Sequence, residues 1–140
     1  MTLTLNYLAM IAYDMKRSLA FYRDLGLPLP EGAHLDADGL PEAHVEVRVN
    51  GLRVAWETEA LARQVNPAWT APSGNARLSI AFEAASAAGV DEVCARMADK
   101  GHRILKAPYD AFWGQRYATL QDPDGNTVDV FAALTRKRAE

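Results

Sequence analysis

The feature that most constrains this chain is an internal repeat. Residues 5–12, Leu-Asn-Tyr-Leu-Ala-Met-Ile-Ala, are short and apolar, as a strand requires. Asp14 then offers an N-cap to a helix beginning Met15-Lys-Arg-Ser-Leu-Ala-Phe-Tyr-Arg-Asp-Leu25, and Gly26 offers a stop. Leu19, Tyr22 and Leu25 share one face of that helix. A Pro/Gly-rich connector, 27–41, leads to two strands, 44–50 and 52–58, joined at Asn50-Gly51, a strong hairpin signal. The second half repeats the order. Strand 77–83 precedes a helical stripe of Val90, Val93, Cys94 and Met97, closed by Gly101. Strands follow at 102–106, 115–121 and 127–131, the last two joined by the turn Asp122-Pro-Asp-Gly-Asn. Leu8 matches Leu78 at a shift of 70, Gly26 matches Gly101 at 75, and Gly51 matches Gly125 at 74.

Each half therefore reads β-α-β-β-β. A lone half would leave a sheet face and two edges bare, so the halves are expected to combine. The expected fold is α+β: two βαβββ modules, 3–58 and 77–132, forming one cupped, eight-stranded mixed sheet. Segment 59–76 is read as connector, and the whole chain, 1–140, as one domain.

Alternation separates two faces. Leu8 and Met10, Leu52, Val54 and Trp56, Leu78, Ile80 and Phe82, Ala118 and Leu120, and Val128 and Val130 form an aliphatic set expected under the helices. The opposite face collects Tyr7, Arg53, Glu57, Arg77, Ser79, Tyr117, Thr119 and Asp129. That face meets solvent or lines a cavity in which polar groups orient a small ligand.

Composition excludes several classes. Hydrophobic residues at 49% and charged residues at 24% do not describe a disordered tail, a fibre or a membrane span. Fifteen Lys+Arg against eighteen Asp+Glu give a net charge of −3, and the one basic cluster, Arg136-Lys137-Arg138, is terminal. Nucleic acid and membrane are therefore not expected partners. One cysteine, Cys94, permits no internal disulfide, and its place on the apolar stripe marks it as a buried thiol. The first residues show no secretory pattern, so a cytoplasmic location is expected.

The segments Asp14-Met-Lys-Arg-Ser-Leu-Ala-Phe-Tyr-Arg-Asp-Leu-Gly, Trp113-Gly-Gln-Arg-Tyr and Asp122-Pro-Asp-Gly-Asn-Thr-Val-Asp resemble signatures of the vicinal oxygen chelate superfamily. That group includes glyoxalase I, extradiol dioxygenases, fosfomycin-inactivating enzymes and bleomycin resistance proteins. The resemblance implies the fold but not one activity. Metal-using members place ligands on the first and last strands of both modules. Spacing from the motifs puts Tyr7, Ala55, Arg77 and Asp129 at those positions. Arg77 has no free lone pair, Ala55 has no donor atom and Tyr7 would have to ionise, which leaves Asp129. Glu57 lies two residues beyond Ala55 on the same face and does not complete a set.

No metal or other cofactor is therefore expected. An Arg77–Asp129 ion pair is expected instead, either as a guanidinium seat for an anionic ligand or as a purely architectural bridge. Trp113, beside Tyr109 and Phe112, is a candidate stacking residue or a contact between subunits. His44 alternates with Glu46 and Arg48 and is read first as part of a polar strand face and second as part of a ligand-facing set. The ligand-binding candidates are Tyr7, Glu57, Arg77, Trp113, Tyr117 and Asp129. The leading functional expectation is a metal-free, small-molecule-binding homodimer like the bleomycin resistance branch. A lyase or isomerase using a metal, or Glu57 or Asp129 as base, is the alternative, and an interaction module with a filled core is a third.

Overall fold

The computed structural model describes residues 2–74 and 76–134. The basic cluster Arg136-Lys137-Arg138 lies outside the described residues. The chain divides into two compact units that part between Ser73 and Gly74.

In the first unit, β1 (Tyr7–Ala12) leads to α1 (Met15–Leu25), then to β2 (His44–Val49) and β3 (Leu52–Thr58). The sheet order is β1-β3-β2, with β1 parallel and β2 antiparallel to β3. The Asp14 side chain accepts the Arg17 N–H at 3.2 Å and caps α1. Gly26, at φ 120°, ends it, while Leu27 N–H closes on the Tyr22 carbonyl at 3.0 Å. The turn between β2 and β3 carries positive φ at Asn50 (53°) and Gly51 (82°), as a type I′ hairpin demands. The expected helix face is buried: Leu19, Tyr22 and Leu25 meet a sheet face whose centre is Met10 paired with Trp56. The Tyr22 ring lies 5.2 Å from that of Trp56, and its hydroxyl donates to Met10 Sδ at 3.4 Å.

The second unit contains β4 (Ser79–Glu83), α3 (Ala87–Asp99), β5 (Arg103–Ala111), β6 (Gln115–Gln121) and β7 (Thr127–Ala133). Its sheet runs β4-β7-β6-β5, with β4 parallel to β7 and the rest antiparallel. Val90, Cys94 and Met97 of α3 are buried, as are Ala118, Leu120, Val128 and Val130 of the sheet. Desolvation pushes the Cys94 thiol above its ordinary pKa, so it stays protonated. The β6–β7 turn is tied by Asp122 Oδ1, which accepts the N–H groups of Asp124 (2.9 Å) and Asn126 (2.8 Å).

Four expectations change. Among the described residues there are three strands in one sheet and four in the other, seven where eight were expected. The first unit lacks a strand because segment 27–43 carries Pro28, Pro30 and Pro41, which cannot donate to a ladder, and forms only the bridge Leu35–Pro41. The connector contains a helix, α2 (Glu59–Val65), capped by the Thr58 hydroxyl accepting from Leu61 N–H at 3.2 Å. β5 runs on to Ala111 past two register shifts, with Pro108 inside the second. The aliphatic face is covered only near the helices: Leu8 and Leu78 are about half exposed.

Trp56, fully buried between α1 and the sheet, is the anchor of the first unit. Trp56→Ala should cost about 3–5 kcal/mol in denaturant unfolding. A loss below about 1 kcal/mol would contradict this packing.

Candidate functional site

Register sets the polar face of the first unit. Tyr7 pairs with Arg53 and Arg53 with Arg48; Ala9 pairs with Ala55 and Ala55 with Glu46; Ile11 pairs with Glu57 and Glu57 with His44. Glu46 receives Arg53 bidentately, Nε to Oε2 at 2.6 Å and Nη2 to Oε1 at 2.7 Å. Arg53 Nη1 also donates to Asn6 Oδ1, and its guanidinium lies 5.3 Å over the Tyr7 ring. Hydrogen bonds from Arg53 and then His44 hold the Glu46 carboxyl down at about 2. His44 Nδ1 is 2.8 Å from Glu57 Oε2 and its Nε2 is 2.9 Å from Glu46 Oε1. The Tyr7 ring meets the His44 ring edge-on at 5.6 Å.

The polar face of the second unit centres on Asp129. Its Oδ2 accepts from the Tyr117 hydroxyl at 2.7 Å and from Ser79 Oγ at 3.1 Å, and its Oδ1 accepts from Thr119 Oγ1 at 3.0 Å. Register explains the set: Thr119 pairs directly with Asp129, and Tyr117 and Ser79 lie one step away on the same face. Burial first, then the bond to Asp129, pushes the Tyr117 phenol up to about 12. Tyr117 stacks on Phe131 at 6.0 Å and meets Trp113 edge-on at 5.4 Å. Trp113 continues to Phe112 at 4.9 Å and Tyr109 at 6.4 Å, and donates from Nε1 to Gln115 Oε1 at 2.8 Å. Phe112 is 96% exposed and Trp113 47% exposed.

The candidates thus fall into two groups. Tyr7 and Glu57 meet through His44 in the first unit, and Trp113, Tyr117 and Asp129 meet in the second. Arg77 joins neither, and the expected Arg77–Asp129 ion pair does not form. β4 begins at Ser79, Arg77 precedes it and is exposed, and Asp129 is taken by three hydroxyls. The cause is register. Ala9 pairs with Ala55 and Ala81 with Asp129, so the first strands correspond at a shift of 72, not 70. Ser79, not Arg77, matches Tyr7.

His44 and Glu46, read first as a polar strand face, join Arg53 and Glu57 in one hydrogen-bonded network. The hairpin itself carried the signal, since a turn centred on Asn50-Gly51 must set His44 opposite Glu57.

The donor atoms do not suit a metal of the kind the resemblance implies. Among the described residues, no group of three or more His, Cys, Asp and Glu is arranged to hold an ion. Asp129 is saturated by hydroxyl donors, the matching position in the other unit is Ala55, and Ser79 and Tyr7 are poor ligands when neutral.

The sequence profile of the Glyoxalase/Bleomycin resistance protein/Dioxygenase superfamily matches residues 4–130. The chain belongs to that superfamily. A search of curated proteins finds no significant match. Among solved structures, a glyoxalase/bleomycin resistance protein/dioxygenase family enzyme from Burkholderia phytofirmans superposes with TM-score 0.76 at 16% identity, over 92% of this chain and 98% of that one. A glyoxalase/bleomycin resistance protein/dioxygenase from Nocardioides gives 0.72 at 23% identity, over 100% and 89%. A lactoylglutathione lyase from Agrobacterium tumefaciens gives 0.64 at 22% identity, over 92% of each chain. These likenesses establish the fold. No helix among the described residues is long and apolar enough to cross a membrane.

The Tyr117–Asp129 bond has a spectroscopic signature. The neutral phenol is favoured in the fold, so its stabilisation is full below the ordinary tyrosine pKa near 10 and is lost as pH rises toward about 12. Ultraviolet titration should show one tyrosine ionising near 12 that vanishes in Tyr117→Phe and titrates lower in Asp129→Asn. A Tyr117 unaffected by Asp129→Asn would refute the contact.

Proposed function

We propose that the protein is a metal-free, small-molecule-binding member of its superfamily. It takes a planar organic ligand against the aromatic run of its second unit. The observation that carries this reading is the chain of ring contacts from Phe112 through Trp113 to Tyr117 and Phe131. One end is open to solvent and the other rests on the hydroxyl-satisfied Asp129. Exposed ring faces offer stacking area at little cost in side-chain entropy, and a carboxylate dressed with hydroxyls offers oriented polar contacts. A second reading, a lyase or isomerase working through a carboxylate base, draws on the likeness to the Agrobacterium lactoylglutathione lyase.

A thermal-shift screen of planar antibiotics and aromatic metabolite acids tests binding, because a ligand selective for the folded state raises the melting temperature. A hit should also perturb tryptophan fluorescence, and Trp113→Ala should weaken it about tenfold with little change in stability. Affinity unchanged in Trp113→Ala, or turnover of a bound compound, would contradict the proposal.

A further inference from the structure

His44 stands where proton chemistry is constrained by counting. A neutral imidazole has one N–H and one lone pair, so it can donate at one ring nitrogen only. Here both nitrogens lie within 2.9 Å of carboxylate oxygens, Nδ1 on Glu57 and Nε2 on Glu46. The ring in this arrangement is an imidazolium. Its charge and that of Arg53 then balance those of Glu46 and Glu57.

The two carboxylates are not equivalent. Glu46 keeps both oxygens on Arg53 whatever His44 does. Glu57 is the less exposed, 16% against 33%, and its cationic partner among the described residues is His44. When the ring gives up one proton, the remaining N–H stabilises Glu57 more than Glu46. It therefore stays on Nδ1, and Nε2 becomes a lone pair that Glu46 no longer faces favourably. The ring is about one-third exposed, and the loss of the favourable contact with Glu46 is what frees Nε2 to take a donor from a ligand.

We propose that Glu57 and His44 form a proton-gated acid–base dyad, closed by Glu46 when the ring is charged and opened at His44 Nε2 when it is not. The ligand class is a small molecule bearing an acidic O–H or N–H. In the transfer, the ligand's X–H bond breaks, its electron pair stays on X, and a new N–H bond forms at Nε2. The resulting imidazolium is the species that Glu57 and Glu46 hold. A carboxylate on Nδ1 fixes the ring and its tautomer, which orients a histidine for this work. Glu46 and Arg53 are positioning residues.

The charged and titratable groups around the ring come from three strands and one helix. β1 gives Tyr7, edge-on at 5.6 Å. β2 gives Glu46 and Arg48, the latter donating to the Gly51 carbonyl. β3 gives Glu57 and Arg53. α2, which packs on β3 and β1, carries Glu59 and Arg63 paired with each other at 3.6 Å. The hydrogen bonds to Glu46 and then Glu57 raise the His44 pKa above its ordinary 6.5, against the effect of burial. The stabilisation is therefore complete below about 6.5 and is lost as pH rises through the raised value.

The test is ¹⁵N NMR of imidazole-labelled full-length protein, with His44 assigned among three histidines by His44→Gln. The dyad predicts protons on both ring nitrogens in acid, a midpoint above that of an ordinary histidine, and an Nδ1–H tautomer beyond it. Glu46→Gln should lower the midpoint and keep the Nδ1–H tautomer. Glu57→Gln should lower the midpoint and lose that tautomer preference. Acylation of His44 by diethyl pyrocarbonate, which attacks the unprotonated nitrogen, should rise through the same midpoint. An ordinary or lower midpoint in the unmodified protein, an alkaline Nε2–H tautomer, or a tautomer indifferent to Glu57→Gln would overturn the proposal. None of these readings uses an organic ligand, so a failed ligand screen and a failed dyad are distinguishable.

Discussion

The parallel ladder between the first and last strand of each unit is the constraint on which the polar chemistry depends. It sets Ala9 beside Ala55 and Ala81 beside Asp129. A slip of one residue would turn every polar side chain to the helix side, and a slip of two would exchange its partner. Helix packing holds that register, because Met10 and Trp56 in one unit, and Val128 and Val130 in the other, are buried only in this pairing. The apolar face thus decides what meets on the polar face.

Each polar face resolves its carboxylates by a different chemistry. In the first unit the donors are charged, Arg53 and His44, and the network runs from Asn6 to Glu57 through alternating cations and anions. In the second the donors are neutral hydroxyls converging on Asp129. In the first the two carboxylates raise the His44 pKa, and in the second burial and the bond to Asp129 push the Tyr117 phenol up to about 12. The superfamily's duplicated frame has diverged here into two chemically distinct surfaces.

Much of the fold was legible because local signals agreed with the global pattern. Asp14, Gly26, Asn50-Gly51 and the Asp122 turn each have a mechanism that acts within a few residues. The burial of Trp56 and Cys94 followed from periodicity. What was not legible depended on pairing across the chain. A repeat shift of 70 taken from Leu8 and Leu78 moved Arg77 into the place that register gives to Ser79. The βαβββ count of the first half rested on symmetry with the second, whereas its own Pro/Gly-rich connector forms only the bridge Leu35–Pro41. The seven-residue α2 is too short for periodicity to reveal. Tyr117 and Asp129, chosen by face, and Trp113, chosen as an aromatic beside Tyr109 and Phe112, do meet, whereas the ring between Glu46 and Glu57 needed the hairpin pairing to be taken literally.

Side-chain donors of the protein itself satisfy the carboxylate of Asp129, at the position where the resemblance puts a metal ligand. Calorimetric titration of the chelator-treated protein with Zn²⁺, Ni²⁺ and Mn²⁺, in parallel with Asp129→Asn, tests this directly. Neither form should bind any of the three ions stoichiometrically. Tight one-to-one binding that Asp129→Asn abolishes would contradict this.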